Sequence, residues 1–204
     1  MIEKLQYDQI YHVYNRGNNR ENLFRSQENY RYFLKLFGAH IAPVVIVYAY
    51  CLLPNHFHFL LRLKSKAEIL DNAKLADFWK YVNADRPHQP FSNCFNAYTR
   101  SFNNWYKRTG ALFERPFGRI LVDSPRYFNN LIVYIHRNPQ MHGLIDDFRD
   151  WPYSSYGAML SDAPSQVARG QVLKWFNGRC DFIETHAVEQ DEETIAPLLL
   201  EDWF

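Results

Sequence analysis

Cysteine is scarce in this sequence, and the cysteines that are present lie far apart. The chain has 204 residues and three cysteines, Cys51, Cys94 and Cys180, with no CxxC pair among them. An odd number of widely spaced thiols gives no disulfide framework. We therefore expect a fold that depends on its own hydrophobic core in a reducing compartment such as the cytoplasm.

Long apolar runs are also lacking. The longest, roughly Val44 to Leu53, is far short of the ~20 residues that a membrane-spanning helix needs. Met1 and the residues after it begin no apolar signal segment. The composition is nevertheless 47% hydrophobic and 17% aromatic, which excludes global disorder and predicts a packed core. We expect a cytoplasmic protein with no membrane partner.

Lysine and arginine are absent from the end of the chain. From Asp181 onwards there are eight acidic residues and no basic ones. The first 180 residues hold all 23 basic residues and 14 of the 22 acidic ones, which is a net charge of +9. A body with this charge suits a polyanionic partner, because positive potential attracts and holds phosphates. A solvated basic domain with an acidic end would have the same composition, so charge alone does not choose a function class.

Hydrophobic spacing and turn residues predict seven elements, in the order strand, helix, strand, strand, helix, strand, helix. Their predicted ranges are 10–15, 28–42, 44–53, 56–63, 95–107, 117–122 and 126–138. Residues 69–82 form a further helix candidate, and residues 85–90 are predicted as a loop. The first six elements are the β-α-β-β-α-β series of a ferredoxin-like fold. We predict an α+β fold with an antiparallel sheet, helices on one face, and a further C-terminal helix followed by an acidic extension.

Capping residues mark the ends of the later helices. Ser124 is a suitable N-cap for the last predicted helix, and Pro125 suits its first position, where the missing N–H is not needed. Pro139 is predicted to end that helix. Gly110 is predicted to end the helix before it.

Two histidines one residue apart, His56 and His58, lie inside the third predicted strand. Side chains alternate between the faces of a strand, so both imidazoles lie on the same face. That arrangement offers two nitrogen ligands to one metal ion. Two unrelated polar residues on a solvent-facing strand would give the same pattern, so the pair alone does not decide between the two interpretations.

Tyr134 and Asn138 are four residues apart in the last predicted helix, so they lie on one face, one turn apart. Taken alone, they fit an aromatic residue packed on the sheet and a polar C-terminal cap before Pro139. Taken with the two histidines, they suggest a chemical site. Two imidazoles and an amide oxygen can hold a divalent ion that keeps open positions for a phosphate. Tyr134 would then lie one turn from a metal ligand and be placed to attack that phosphate.

Five segments together resemble the single-tyrosine HUH transposases, and in particular the REP-associated tyrosine transposases of bacterial chromosomes. The segments are YHVYNRG at 11–17, LPNHFHFLL at 53–61, GALFERPF at 110–117, YIHRNP at 134–139 and WPYSSY at 151–156. They span about residues 10–157, in the order in which the family has them.

The resemblance implies an enzyme that cleaves and rejoins single-stranded DNA next to hairpins, through a covalent 5′-phosphotyrosine. It assigns metal binding to His56, His58 and Asn138, with Mg²⁺ or Mn²⁺ as the cofactor, and the nucleophile to Tyr134. The implied partner is single-stranded DNA with hairpins such as REP-like palindromes. We further expect a catalytic domain over 1–160, and an extension over 161–204 that is acidic after Cys180. The protein is expected to be bacterial, nucleoid-associated, and a monomer or homodimer.

Basic residues near these segments are candidates for phosphate contacts, which position a strand without reading its sequence. The candidates are Arg16, Arg20, Arg100, Lys107, Arg108, Arg115, Arg119, Arg126 and Arg137. No general base is obvious. His12 and His136 are the candidates, and each is better explained as a structural residue. Tyr127, two turns before Tyr134, is the alternative nucleophile.

Two other function classes stay open at this point. Ferredoxin-like sheets also serve as RNA-recognition domains, although the run of basic, glycine and aromatic residues typical of those domains is missing here. A metal-dependent phosphodiesterase would use water as its nucleophile, and the cyclic type has two HxH pairs where this sequence has one. A covalent tyrosine–DNA product would separate a transposase from a phosphodiesterase.

Overall fold

Residues 3–71 and 86–188 of the chain are described by a computed structural model, and four strands within them form one antiparallel sheet. The strands are β1 (Ile10–Arg16), β2 (Val45–Leu52), β3 (His56–Leu63) and β4 (Gly118–Leu121). Their order across the sheet is β2-β3-β1-β4, and every neighbouring pair is antiparallel. This order follows from a β-α-β-β-α-β chain path. The predicted α+β, ferredoxin-like fold class is therefore confirmed.

The described residues also form seven α-helices. They are α1 (Gln27–His40), α2 (Lys66–Leu70), α3 (Gln89–Tyr106), α4 (Pro125–Met141), α5 (Tyr156–Leu160), α6 (Arg169–Trp175) and α7 (Arg179–Ala187). Helix α4 begins as predicted, because the Ser124 hydroxyl oxygen accepts the Tyr127 N–H at 3.2 Å. This cap fixes the start of the helix that carries Tyr134.

The two faces of β3 carry different side chains. Phe57 points to the face covered by α1 and α3, where its ring centroid lies 5.2 Å from that of Phe33. His56 and His58 point to the other face, which α4 covers. Both faces of the sheet are thus buried, one by an aromatic core and the other by a helix packed over histidines. This division places the polar pair in a protected environment.

Helix α3 differs from its predicted bounds at both ends. The loop predicted over 85–90 is wrong for Gln89 and Pro90, which are helical. Pro90 lies in the first turn, where its missing N–H costs no hydrogen bond, and the buried Phe91 anchors that turn in the core. At the other end Lys107 adopts the left-handed conformation, with φ of 50°, and ends the helix before Gly110 is reached.

Helix α4 continues past Pro139, so the prediction that Pro139 ends it is wrong. A proline removes the hydrogen bond to the carbonyl four residues earlier, but here that loss falls within the last turn. The helix runs on to Met141, and the His142 N–H donates to the Asn138 carbonyl oxygen at 3.0 Å. Asn138 is therefore a helical residue whose side chain projects from the body of α4.

Residues beyond 160 pack against the same sheet. Val167 forms a bridge with Val47 of β2, and the ring of Trp175 lies 5.0 Å from that of Tyr48. The division at residue 160 remains a prediction. Residues 189–204, which carry most of the acidic end, lie outside the described residues, as does most of the helix candidate at 69–82. No helix in the described part of the chain is long and apolar enough to cross a membrane.

Candidate active site

Three histidines meet on the side of the sheet that faces α4. The ring centroids of His56 and His58 are 5.1 Å apart, on the one strand face that the alternation of β3 predicts. His12 of β1 lies beside them, with its Nε2 atom 2.9 Å from Nδ1 of His58. All three side chains are buried. The HxH pair is therefore part of a packed cluster and not a solvated strand face.

Helix α4 brings Tyr134 and Asn138 to these histidines. The Tyr134 ring lies 5.7 Å from that of His58, nearly perpendicular to it at 77°. Asn138 Oδ1 lies 3.3 Å from His56 Nε2, although the two residues are 82 positions apart in the sequence. The structure thus brings together the four residues that were predicted to form the site.

Burial keeps the histidines neutral. It lowers the pKa of His56 to about 3 and that of His12 to about 3, since a charged ring is poorly solvated there. The pKa of His58 is well below its usual range, first because of burial and then because of the neighbouring His12 and His56. A neutral imidazole keeps a lone pair on one ring nitrogen, and this is the form that binds a metal ion.

Tyr134 is almost completely buried in this structure. Its side chain is 3% exposed. Burial raises the pKa of Tyr134 to about 12, and the nearby Asn138 side chain opposes part of that rise. The phenol therefore keeps its proton at neutral pH until a further interaction stabilises the phenolate.

Neighbouring groups set the direction of the His56 lone pair. His56 Nδ1 lies 2.7 Å from Asn55 Oδ1, and an N–H at that position donates to Asn55 and leaves the lone pair on Nε2. That lone pair faces the Asn138 oxygen, while Asn138 Nδ2 has no hydrogen-bond partner among the described residues. Adjacent ligands of an octahedral ion with bonds of about 2.1 Å lie about 3.0 Å apart. The His56 and Asn138 atoms, 3.3 Å apart, fit a shared cation.

The candidate ligands would fill only part of the coordination shell of a metal ion. In residues 3–71 and 86–188, no three His, Cys, Asp or Glu side chains are grouped as a complete metal site. His56, His58 and the Asn138 amide oxygen would leave coordination positions free, which is a feature of catalytic and not of structural metal sites. The residues present therefore fit a divalent ion that also contacts a substrate.

The predicted DNA-binding residues divide into two groups. Five are exposed: Arg20, Arg100, Lys107, Arg115 and Arg126. The other four are partly buried and are held by contacts within the chain. Arg16 and Arg108 each pair with a carboxylate, at 2.9 and 2.8 Å, and Arg119 lies over an aromatic ring at 4.6 Å. Arg137 donates to two carbonyl oxygens at the end of α7, at 2.9 and 3.1 Å, and so helps hold that helix. A DNA contact of any of the nine stays a prediction.

Two residues that orient the histidines are not evident from motif spacing. His12 is suggested by the sequence only as a candidate base, whereas the structure makes it the hydrogen-bond partner of His58. Asn55 binds the His56 ring, and its own carbonyl oxygen accepts the Gly17 N–H at 2.8 Å. The period-two alternation of β1 would place His12 on one strand face, but its pairing with β3 is a long-range contact that no local pattern reveals.

A second histidine cluster lies on another side of α4. His136 Nδ1 is 2.8 Å from His186 Nε2 on α7, and His136 Nε2 is 2.8 Å from the Ser155 hydroxyl oxygen. Burial lowers the pKa of His186 to about 4 and that of His136 well below its usual range. These contacts make His136 a structural residue that joins three parts of the chain, and not a general base for Tyr134.

The chain is similar to a curated protein and to a solved structure. No protein-family model matches the chain. A Haemophilus influenzae protein named "Putative REP-associated tyrosine transposase" is 31% identical over 108 residues, which are 53% of this chain and 57% of that protein. The chain therefore matches little more than half the length of this relative. A solved structure of a REP-associated tyrosine transposase bound to a REP hairpin aligns with a TM-score of 0.53 and 17% identity, over 80% of this chain and 89% of that one. At that identity the similarity shows the fold.

Proposed function

From its resemblance to the REP-associated tyrosine transposases, which both comparisons support, we propose that this chain cleaves and rejoins single-stranded DNA next to hairpins. Tyr134 is the proposed nucleophile, and the product of cleavage is a 5′-phosphotyrosine. The proposed partner is hairpin-bearing single-stranded DNA, such as a REP-like palindrome, bound by a monomer or a homodimer at the bacterial nucleoid. The catalytic domain is proposed to cover residues 1–160.

One observation supports the proposal most strongly. A single helix, α4, places the phenol of Tyr134 against His58 and the amide of Asn138 against His56. A purely structural helix would need neither a buried histidine pair beneath it nor, among its own side chains, a buried amide with an unpartnered nitrogen. The arrangement instead combines a nucleophile and three candidate ligands within one turn of helix and one strand face.

Each residue of the site has its own proposed role. His56, His58 and Asn138 would hold the divalent ion, with Mg²⁺ or Mn²⁺ as the proposed metal. When bound, that ion supplies Lewis-acid stabilisation of the negative charge on the scissile phosphate. Asn55 and His12 keep the two imidazoles oriented through their hydrogen bonds. The low pKa of His56 keeps its ring unprotonated at every pH at which a cell operates.

The proposed bond changes balance without a nucleotide cofactor. The Tyr134 oxygen forms a bond to phosphorus and loses its proton, while the bond from phosphorus to the 3′-oxygen breaks. That 3′-oxygen takes up a proton and leaves as a hydroxyl. The phosphodiester energy is kept in the Tyr134–phosphate bond, so a 3′-hydroxyl can reverse the step and rejoin the strand.

Cleavage of hairpin-bearing oligonucleotides in the presence of Mn²⁺ tests the proposal. Wild-type protein should form an adduct that migrates above the free protein in a denaturing gel. Tyr134→Phe should abolish the adduct while DNA binding is kept, because only one oxygen is removed. Tyr127→Phe, on the same helix, is the matched control and should still form it.

Other outcomes of this assay would replace the proposal. Cleavage by Tyr134→Phe without any adduct would indicate water as the nucleophile, and hence a phosphodiesterase. Loss of the adduct in Tyr127→Phe and not in Tyr134→Phe would transfer the nucleophile to Tyr127. Binding of DNA with neither cleavage nor adduct in wild-type protein would leave a nucleic-acid-binding module.

A further inference from the structure

A cavity of about 530 Å³ lies between α3 and the segment that leads into β4, on the sheet face opposite the histidines. Phe95, Phe113 and Phe117 supply apolar wall, and Ser92 and Thr99 supply hydroxyl groups from α3. The volume falls within the roughly 300–1,000 Å³ that is typical of small-molecule sites and leaves room for a planar ring with its sugar. Mixed apolar walls and a few polar groups are what a nucleobase requires.

Asn15 gives this cavity a polar group, the amide nitrogen of its side chain. Its side chain lines the cavity and the residue is 2% exposed. Asn15 Oδ1 accepts the Arg16 N–H at 2.8 Å. No hydrogen bond of Asn15 Nδ2 is found among the described residues. The buried side-chain atoms without a partner in the described residues are His12 Nδ1 and Asn138 Nδ2, so Asn15 Nδ2 is accessible from the cavity and can donate to an acceptor of a ligand there.

Two arginines and one carboxylate line the cavity, and the carboxylate, Glu114, is paired with Arg16 at 2.9 Å. Arg115 and Arg119 are the arginines that line the cavity, and Arg115 is exposed. His88 and Ser92, at the start of the 18-residue helix α3, also line it, so the positive end of that helix dipole lies beside the cavity. A phosphate at the rim would be attracted by these groups, while a base could enter the apolar interior.

The cavity and the histidines lie at the same end of β1. Asn15 points to the aromatic face of the sheet, and the next residue, Arg16, is directly opposite His56 in the strand pairing. A single strand of DNA that reaches the histidines on one face could therefore place a neighbouring nucleotide in the cavity on the other face, by passing the sheet edge at β4.

We propose that this cavity holds one unstacked nucleobase of the single-stranded DNA next to the hairpin, with Asn15 Nδ2 donating to a ring nitrogen or carbonyl oxygen of that base. This rests on the proposed function, since it assigns part of the same DNA substrate to a second place on the chain. Bases of single-stranded DNA are sheltered in this way by aromatic walls and held by their phosphates.

An abasic scan tests the cavity. In a set of hairpin oligonucleotides, each nucleotide of the single-stranded flank is replaced in turn by an abasic site, and affinity is measured by fluorescence anisotropy. For wild-type protein one position should lower the affinity about tenfold, as loss of a sheltered base does. Thr99→Trp, which fills the cavity from α3, should make affinity insensitive to that position. Asn93→Trp, exposed on the same helix and outside the cavity, should keep the wild-type pattern.

A second variant keeps the test decisive if Thr99→Trp disturbs folding. Asn15→Ala removes this donor, together with the acceptor of the Arg16 N–H, and it should reduce the sensitivity at the same position. A wild-type scan with no sensitive position, or a Thr99→Trp scan identical to that of wild type, would overturn the cavity proposal alone, since hairpin binding and adduct formation would be intact. Absence of any binding to hairpin DNA would overturn it together with the proposed function.

Discussion

His12 Nε2 and His58 Nδ1 are joined by a hydrogen bond of 2.9 Å between two buried rings. The other ring nitrogen of His12, Nδ1, has no hydrogen-bond partner among the described residues. If His58 Nδ1 donates, the lone pair of His58 is on Nε2 and can bind a metal ion. If His12 Nε2 donates, His58 carries its proton on Nε2 and cannot. Metal binding therefore requires His12 to act as the acceptor.

Replacing His12 with Phe should weaken Mn²⁺ binding by about 10- to 100-fold, which is the usual effect of removing the partner of a ligating histidine. Isothermal titration of the DNA-free protein at pH 7 measures this directly. His40→Phe, at the end of α1, is the matched control and should bind Mn²⁺ as wild type does. Equal Mn²⁺ affinities in a folded His12→Phe protein and wild type would show that His12 does not orient His58.

Gly17 connects the first motif to the site, and it has no room for a side chain. A Cβ atom at this position would lie 2.0 Å from the Glu21 carbonyl oxygen, and the Gly17 N–H donates to the Asn55 carbonyl oxygen. Gly17→Ala should lower the free energy of unfolding by about 1–3 kcal/mol, because backbone and not a flexible side chain must move. Chemical denaturation checks this. Gly157→Ala, where nothing lies within 4 Å, should not destabilise the protein, and equal losses in both variants would refute the steric explanation.

The strands, the sheet order and the HxH face follow from sequence because they depend on local alternation and on chain path. The pairing of Tyr134 with Asn138 on one helix face follows from 3.6-residue periodicity. Spacing alone could not bring His12 to His58 or Asn138 to His56, since contacts across β1, β3 and α4 depend on tertiary packing; the family resemblance grouped Asn138 with the two histidines. The predicted ends of two helices were wrong for a different reason. Pro139 sits in a last turn that tolerates it, and Lys107 takes a left-handed conformation that glycine usually takes.

The free energy of unfolding should fall as the pH drops below about 6.5, the pKa of an ordinary histidine. His186 has a folded-state pKa of about 4, against about 6.5 when unfolded, so between these values only the unfolded chain binds the proton. Each such histidine lowers the free energy of unfolding by about 1.4 kcal/mol per pH unit in that window. Urea unfolding at pH 7, 6 and 5 should show a shallower pH slope for His186→Leu than for wild type. Identical slopes would mean that the pKa of His186 is the same in the folded and the unfolded protein.

The acidic end should weaken non-specific DNA binding. A truncated chain that tests this should end at Val188 and not at Cys180, because Phe182 and His186 are buried in the core. Deleting residues 189–204 removes six acidic residues and no basic ones, which raises the net charge from +1 to +7. Affinity for unstructured single-stranded DNA should rise, with a steeper dependence on salt. Fluorescence anisotropy at 50 and 200 mM salt measures both quantities. Affinities equal to those of the full chain would show that this end does not compete with DNA.

The most direct measurement for the proposed activity is the identity and polarity of the covalent product. A hairpin oligonucleotide labelled at its 3′ end and incubated with the protein and Mn²⁺ should leave its label on the protein, whereas a 5′ label should appear on a shortened free strand. Mass spectrometry of the digested adduct should place the nucleotide on Tyr134. A label transferred from the 5′ end, a modification on another residue, or cleaved DNA with no protein-bound label would contradict the assignment of Tyr134 as the nucleophile that forms a 5′-phosphotyrosine.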